Sequence, residues 1–345
     1  MKKEILKICD LNLNFRVKKH LIYALRGINL SLGEGEILGL VGESGSGKSV
    51  ISKALMGLLP DNALIQKGSI LYKDLDLAQM KDKQFNKIRG NKISIIFQNP
   101  LSSLNPLIKV GKQIYESLQL KKTKSTHQQR KNQVLKLMEE VGIPEPMKRF
   151  NQYPHQLSGG MCQRIVIAIA LANEAKILIC DESTTALDVS VQKKILDLIK
   201  KLQKEKKLSI IFITHDLEVV KYVADRIAVI YAGRIVEYGT THEVFYNSKH
   251  PYTWALLQSM PVFAKKGNKL KSIQGNPHLL TAPILGDAFA PRNPYALKID
   301  FEKEPPMFKI SATHYASSWL LHKFAPRIEV PDLILELQKK GGCCN

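Results

Sequence analysis

Residues Gly42-Glu43-Ser44-Gly45-Ser46-Gly47-Lys48-Ser49 fit the pattern G-x-x-x-x-G-K-[ST], the spacing of a loop that wraps phosphate groups. Its glycines let the backbone curl until successive N–H groups converge on an anion, and a helix starting at the loop's end adds partial positive charge. Lys48 supplies a mobile cation to the outer phosphates of a nucleotide, and the Ser49 hydroxyl is a ligand for Mg²⁺. The loop follows the apolar run Ile37–Val41 and precedes a helix read over Lys48 to Leu59, closed by Pro60, which is the context the pattern requires. A second chemical group, Asp181-Glu182, ends the apolar run Ile177–Cys180. Asp181 suits Mg²⁺ held through water, and Glu182 suits a base for water attacking a γ-phosphorus. Cys180, inside the run, reads as a core hydrophobe.

Four apolar runs must carry these groups: Ile37–Val41, Ile93–Phe97, Ile177–Cys180 and Ile210–Ile213. They hardly alternate, so they read as central strands covered on both faces of a parallel α/β sheet. Each ends at a group of possible use: the glycine loop, Gln98, Asp181-Glu182 and Thr214-His215. Ligands of doubly wound sheets sit beyond the carboxyl ends of the strands, so the four point to a single site. Residues 4–15 and 28–32 alternate instead, as half-buried strands of an antiparallel sheet do. Between the second and third runs, about 105–172, the texture is helical, and Val134, Leu135, Leu137, Met138 and Val141 share one face of a helix over Gln128–Val141. Residues 226–239 read as a hairpin turning at Ala232-Gly233. Past about residue 245 prolines become frequent and helical periodicity fades, as in a smaller loop-rich unit.

Leu157-Ser158-Gly159-Gly160-Met161-Cys162-Gln163-Arg164 opens an apolar helix, Ile165 to Ala172, just before the Asp-Glu strand. The string resembles the signature motif of ABC-type ATPases, and the order of phosphate loop, Gln98, signature, Asp181-Glu182, Asp188 and His215 is similar to that family over about residues 5–245. The resemblance implies a RecA-like P-loop NTPase core of the α/β class, with an N-terminal antiparallel β subdomain, an inserted helical subdomain at about 100–172, and an extension over 246–345. It also implies roles. Gln98 would reach Mg²⁺ and the attacking water and sense a transmembrane partner. Ser158, Gly159 and Gly160, with Gln163 in the same string, would face the nucleotide of an opposite subunit. Asp188 would communicate across that dimer, and His215 would contact the γ-phosphate. Either Phe15 or Tyr23 would stack on adenine.

A finer resemblance is to the ATPases of oligopeptide and dipeptide importers. It rests on Phe97-Gln98-Asn99-Pro100-Leu101-Ser102-Ser103-Leu104-Asn105-Pro106, on His250-Pro251-Tyr252-Thr253, and on a tail around Gly286–His322. That subfamily commonly carries four cysteines for an iron–sulfur cluster in the tail. Asp287, Asn293, Asp300 and Ser318 stand there instead, and thiolates are needed, so no cluster is expected. A hard-cation site from Asp287, Asn293 and Asp300 competes with an ordinary hydrogen-bonded loop. Ser183, where proline is usual, and Cys162 in the signature are further departures, and neither removes a phosphate ligand or the base. The implied assembly is an ATP- and Mg²⁺-dependent subunit on the cytoplasmic face of the cell membrane. It would be peripheral, bound to two permease chains, a related second ATPase and an extracellular peptide-binding protein.

Composition sets the limits. In 345 residues, 51 Lys+Arg against 31 Asp+Glu leave a net charge of +20, which suits an anionic partner. A soluble ABC ATPase acting on nucleic acid or ribosomes is the rival that charge allows, but such proteins usually carry two cassettes or a long coiled coil, and neither is seen. No nucleic-acid partner is therefore expected. Nickel is an alternative cargo. The longest apolar stretch, Ile165 to Ala172, is too short for the roughly 20 residues of a membrane span. Five cysteines without framework spacing (Cys9, Cys162, Cys180, Cys343 and Cys344) fit a reducing compartment.

Overall fold

A computed structural model describes residues 3–119, 126–185, 187–263, 273–276 and 280–342, so the Cys343-Cys344 tail lies outside the described residues. The chain divides into two units: Met1–Gly33, Ile37–Gln79 and Ile213–Asn345 form one, and Glu34–Glu36 with Met80–Phe212 form the other.

The first unit opens with two long antiparallel strands, Glu4–Val17 and His20–Gly33, paired from Glu4↔Gly33 to Val17↔His20 with shifts of register between Glu4 and Asn14. A third strand, Ala63–Tyr72, pairs with Glu4–Val17 on its other edge and carries the short Leu75–Asp76 strand. The alternating segments of the sequence are thus parts of longer strands, and Ala63–Tyr72 joins them. A second set of strands in this unit has the order Phe308–Lys309, Tyr315–Ala316, Arg234–Thr240, Arg226–Tyr231, Ile37–Val41. Ile37–Val41 pairs in parallel with Arg226–Tyr231, and all five of its residues are buried. Full burial on both faces is why this run is continuously apolar, each large side chain contributing about 1.5–3 kcal/mol on leaving water.

The helix after the phosphate loop spans Lys48–Met56, shorter than the sequence suggests. Gly57 takes a left-handed conformation (φ 60°) and its N–H caps Ala54 and Lys53, so the helix closes before Pro60 is reached. The extension also contains more helix than its prolines suggest. Pro251 is the first residue of the Pro251–Gln258 helix, where its missing N–H costs nothing. That helix is buried nearly all round, so no amphipathic period marks it. Asp332–Lys340 is a second helix, acidic in its first turn, basic in its last, and buried through Ile334 and Leu337. These helices share a core with Val41, Tyr231, Phe245 and Phe289.

In the second unit, Ile93–Ile96 and Ile177–Asp181 run parallel, with Ile96 opposite Cys180, and the strand Ser209–Thr214, whose first four residues belong to this unit, neighbours Ile177–Asp181. The longer helices among the described residues are Val110–Gln119, His127–Glu140, Gly159–Leu171 and Val189–Lys206, with Val134 and Met138 buried as the helical face requires. Among the described residues no helix is long and apolar enough to cross a membrane.

Candidate functional site

The buried Ile37–Val41 strand delivers Gly42 against Ile230, where a Cβ would lie 2.1 Å from the Ile230 carbonyl oxygen. Gly47 has φ 107°, a conformation that side chains rarely adopt, and a Cβ there would meet Ala24 O at 3.0 Å. Between them Ser44 and Gly45 are exposed, whereas Ser46 and Lys48 are buried. Lys48 Nζ donates to Gly42 O at 2.7 Å and Glu43 O at 2.8 Å, tying both ends of the loop together. Gly233 N donates to Ser46 O at 2.8 Å, so the hairpin turn buttresses the loop from behind. The Ser46 hydroxyl is buried and meets no hydrogen-bond partner among the described residues. The helix that follows has no side-chain cap and no acidic residue in its first turn. An uncapped helix start, a cation and a backbone curl together form a cradle for phosphate.

His215 lies in the same unit, exposed, directly after Ser209–Thr214. Asp216 behind it caps the Leu217–Val223 helix by accepting from Glu218 N and Val219 N, which fixes the backbone where the imidazole emerges. Phe15 and Tyr23 sit on paired strands, Phe15 opposite Ile22 and Asn14 opposite Tyr23. Both are half-buried, and Tyr23 packs on the core while its N–H donates to Leu280 O.

The second unit brings Gln98, Asp181 and Glu182 together because their two strands are parallel and in register. Gln98 Nε2 donates to Glu182 Oε2 at 2.9 Å and reaches Thr185 Oγ1 at 3.5 Å. Glu182 has φ 50°, a left-handed backbone costing a non-glycine residue roughly 1–2 kcal/mol. Thr185 Oγ1 stabilises this turn by donating to Glu182 O at 3.0 Å. Asp181 is 8% exposed at the strand end. Behind them Cys180 is fully buried, and burial pushes its thiol up to about 12, as befits a core side chain.

Ser158 caps the Gly159–Leu171 helix by accepting from Met161 N, and Ser158 and Gly159 face solvent. A Cβ on Gly160 would lie 2.7 Å from Val191 Cγ1, so the small residue lets the signature helix approach the helix that Asp188 caps. Asp188 accepts from Val191 N at 2.9 Å and Ser190 Oγ at 2.8 Å, and these bonds hold its carboxyl below the usual range. Gln163 corrects an expectation: it is fully buried, its amide without a partner among the described residues, so its side chain does not face outward with Ser158 and Gly159. Three residues along a helix from Gly160 it falls on the interior side, which the motif string alone does not reveal.

Asp287, Asn293, Asp300 and Ser318 each serve a turn. They accept from Phe289 N at 3.0 Å, Tyr295 N at 3.0 Å, Leu297 N at 2.6 Å and Leu320 N at 3.3 Å. Among the described residues no group of three or more His, Cys, Asp or Glu is arranged to hold a metal ion. These four bonds are those of a hydrogen-bonded loop. Sequence reasoning missed Arg292, which grips Glu43 of the phosphate loop with both Nη atoms.

Residues 25–185 match the model of the ABC transporter family, and residues 236–299 match that of the oligopeptide/dipeptide transporter C-terminal region. The chain is 53% identical over 338 residues to the oligopeptide transport ATP-binding protein OppD of Bacillus subtilis, covering 97% of this chain and 94% of that protein. It is 49% identical over 338 residues to the dipeptide transport ATP-binding protein DppD of Lactococcus lactis subsp. cremoris, covering 98% and 97%. Among solved structures it is similar to a dimeric post-hydrolysis state of the ATP-binding cassette MJ0796 bound to ADP and Pi, with a TM-score of 0.61 and 29% identity over 68% of this chain and 98% of that one.

Proposed function

The chain belongs to the ABC transporter ATP-binding proteins of the oligopeptide/dipeptide branch, and we propose on that basis how its residues hydrolyse ATP to drive uptake of peptides. It is the ATPase subunit of an ABC importer of oligopeptides or dipeptides, working with transmembrane permeases. The observation that carries the catalytic reading is the Gln98–Glu182 hydrogen bond of 2.9 Å at the ends of two parallel strands.

The residues present fit the nucleotide. The orphaned Ser46 hydroxyl, the uncapped helix start and Lys48 all offer donors or positive charge to a polyphosphate. Ser49, Asp181 and Gln98 are oxygen donors of the kind Mg²⁺ prefers, and they would hold that ion. When bound, Mg²⁺ neutralises charge on the phosphate oxygens and orients them. Lys48 gives up its backbone partners in the loop to follow the outer phosphates. Glu182 accepts the proton of the attacking water, and Gln98 keeps the carboxylate turned toward that proton. His215 donates to the γ-phosphate. Ser158, Gly159 and Gly160 are offered to the nucleotide of a second ATPase subunit, a related but different chain, and Asp188 signals across that contact. Phe15 or Tyr23 stacks on adenine. The assembly works at the cytoplasmic face of the membrane, fed by an extracellular peptide-binding protein.

The test is transport. Sealed vesicles containing the chain with its co-purifying permeases, loaded with ATP inside and given the peptide-binding protein outside, should accumulate a labelled oligopeptide or dipeptide, and Lys48→Ala should abolish accumulation. ATP turnover with accumulation of nickel but no peptide would overturn the cargo assignment.

A further inference from the structure

Glu43, the second residue of the phosphate loop, is held at each of its polar groups. Its N–H donates to Tyr252 Oη at 2.8 Å, its carbonyl accepts from Lys48 Nζ, and its carboxylate is taken by Arg292, 249 residues away. The guanidinium makes a two-pronged contact, Nη1 to Oε2 at 2.6 Å and Nη2 to Oε1 at 2.9 Å. Arg292 is itself locked. Its side chain is 5% exposed, Nε donates to Gln274 O at 2.8 Å, Nη1 also reaches Tyr231 Oη at 3.2 Å, and the guanidinium lies 5.7 Å from the Tyr231 ring centre and 6.0 Å from that of Phe289. Tyr231, Tyr252 and Phe289 pack on one another, with ring centres 4.6–5.3 Å apart, as a rigid floor under the pair.

A second strap from the extension reaches the same loop. Glu304 binds Arg26 at 3.1 Å and also Arg234, Arg26 Nε donates to Ala232 O at 2.8 Å, and Gly233 N donates to Ser46 O. The extension thus touches the loop at its second residue and, through the hairpin turn, at its fifth.

A carboxylate in a loop that must receive three or four negative charges is an electrostatic liability, because like charges at short range repel strongly where water is scarce. A planar fork that takes both oxygens fixes the side chain and cancels its charge, which a lysine does less completely. We propose that Arg292 is a positioning residue of the phosphate loop: by holding and neutralising Glu43 it keeps the loop ready for triphosphate, so that the C-terminal extension sets the affinity of this chain for ATP. The inference rests on the nucleotide-binding reading above.

The experiment measures ATP affinity of the full chain by calorimetry, with the unfolding midpoint recorded without nucleotide. Arg292→Ala should weaken ATP binding at least about tenfold, the scale of a lost charge-assisted contact. Adding Glu43→Gln to it should restore most of the loss, because the stranded charge is gone. The loss should also shrink as salt is raised from about 0.05 M to about 0.5 M, where screening is strong. If Arg292→Ala does not fold, Arg292→Lys carries the test, with an expected loss of about threefold because charge is kept and the fork is lost. Affinity within twofold of the parent in the variant that folds, or a double variant weaker than Arg292→Ala, would overturn the proposal and leave the pair as a docking contact only. Lys48→Ala separates the two readings. If it destroys binding while the Arg292 variants do not, only the present inference fails; if it leaves binding intact, the phosphate-loop reading fails and this inference with it.

Discussion

The phosphate loop and the signature segment are both glycine-rich starts of helices, yet they are built in opposite ways. The phosphate loop is held from afar: by the Ile37–Val41 strand, by the 232–233 turn, by Tyr252 and by Arg292, with Lys48 folded inward and 4% exposed. The signature is held locally. Ser158 caps its own helix, Asp188 caps the next, and Ser158 and Gly159 lie open to solvent. A site fixed by long-range contacts is organised before its ligand arrives, whereas a locally capped, exposed edge is a surface offered to another molecule. Under the proposed function, the first region would hold this chain's own nucleotide and the second would meet a neighbour's.

Substitutions can break or sharpen that contrast. Lys48→Ala should have the largest effect, removing the buried cation and its two bonds across the loop; tight ATP binding should be lost in calorimetry, while an unchanged affinity would break the comparison at once. Ser158→Ala should be milder, costing about 1 kcal/mol of helix-cap stability. It should leave ATP affinity of the isolated chain intact and reduce turnover of the assembled transporter. Equal weakening of ATP binding by the isolated chain would show that the signature serves its own chain's nucleotide.

The smallest effect concerns how the extension is anchored. Burial opposes ionisation of Glu243, but bonds from Ser311, Thr240 and Thr313 outweigh it and bring its carboxyl down to about 2 from 4.5. Because the folded value is the lower one, the stabilisation is complete above about pH 4.5 and fades as pH falls toward about 2. Glu243→Gln should lower the unfolding midpoint at neutral pH, where the parent has the full stabilisation, and flatten the acid limb as the two profiles converge toward about pH 2. An identical acid limb in both proteins would remove Glu243 from the account.

Much of this was legible in the residues because the signals are local. Ile37–Val41 lacks alternation for the same reason that it is buried on both faces, and the glycine string with Lys48 needs only its neighbours to be read. The Ala232-Gly233 turn and the His127–Glu140 helix face follow from spacing alone. Contacts between distant segments were not legible. Nothing near Arg292 announces that it meets a residue 249 positions earlier, and nothing in Pro251–Gln258 marks a helix, since a helix buried all round has no polar face to set a period. Ala63–Tyr72 escaped because Gln66-Lys67-Gly68 interrupts its apolar pattern, where Gly68 packs against the Asp10 backbone. Gln163 escaped because a motif lists residue types and not the side of the helix on which each falls.

The most direct measurement is phosphate release by the assembled transporter carrying Glu182→Gln. With Glu182 as the proton acceptor for water, the variant should bind ATP as the parent does and release phosphate at least about a hundredfold more slowly, the scale of losing a general base. Near-normal release with ATP bound would contradict the account.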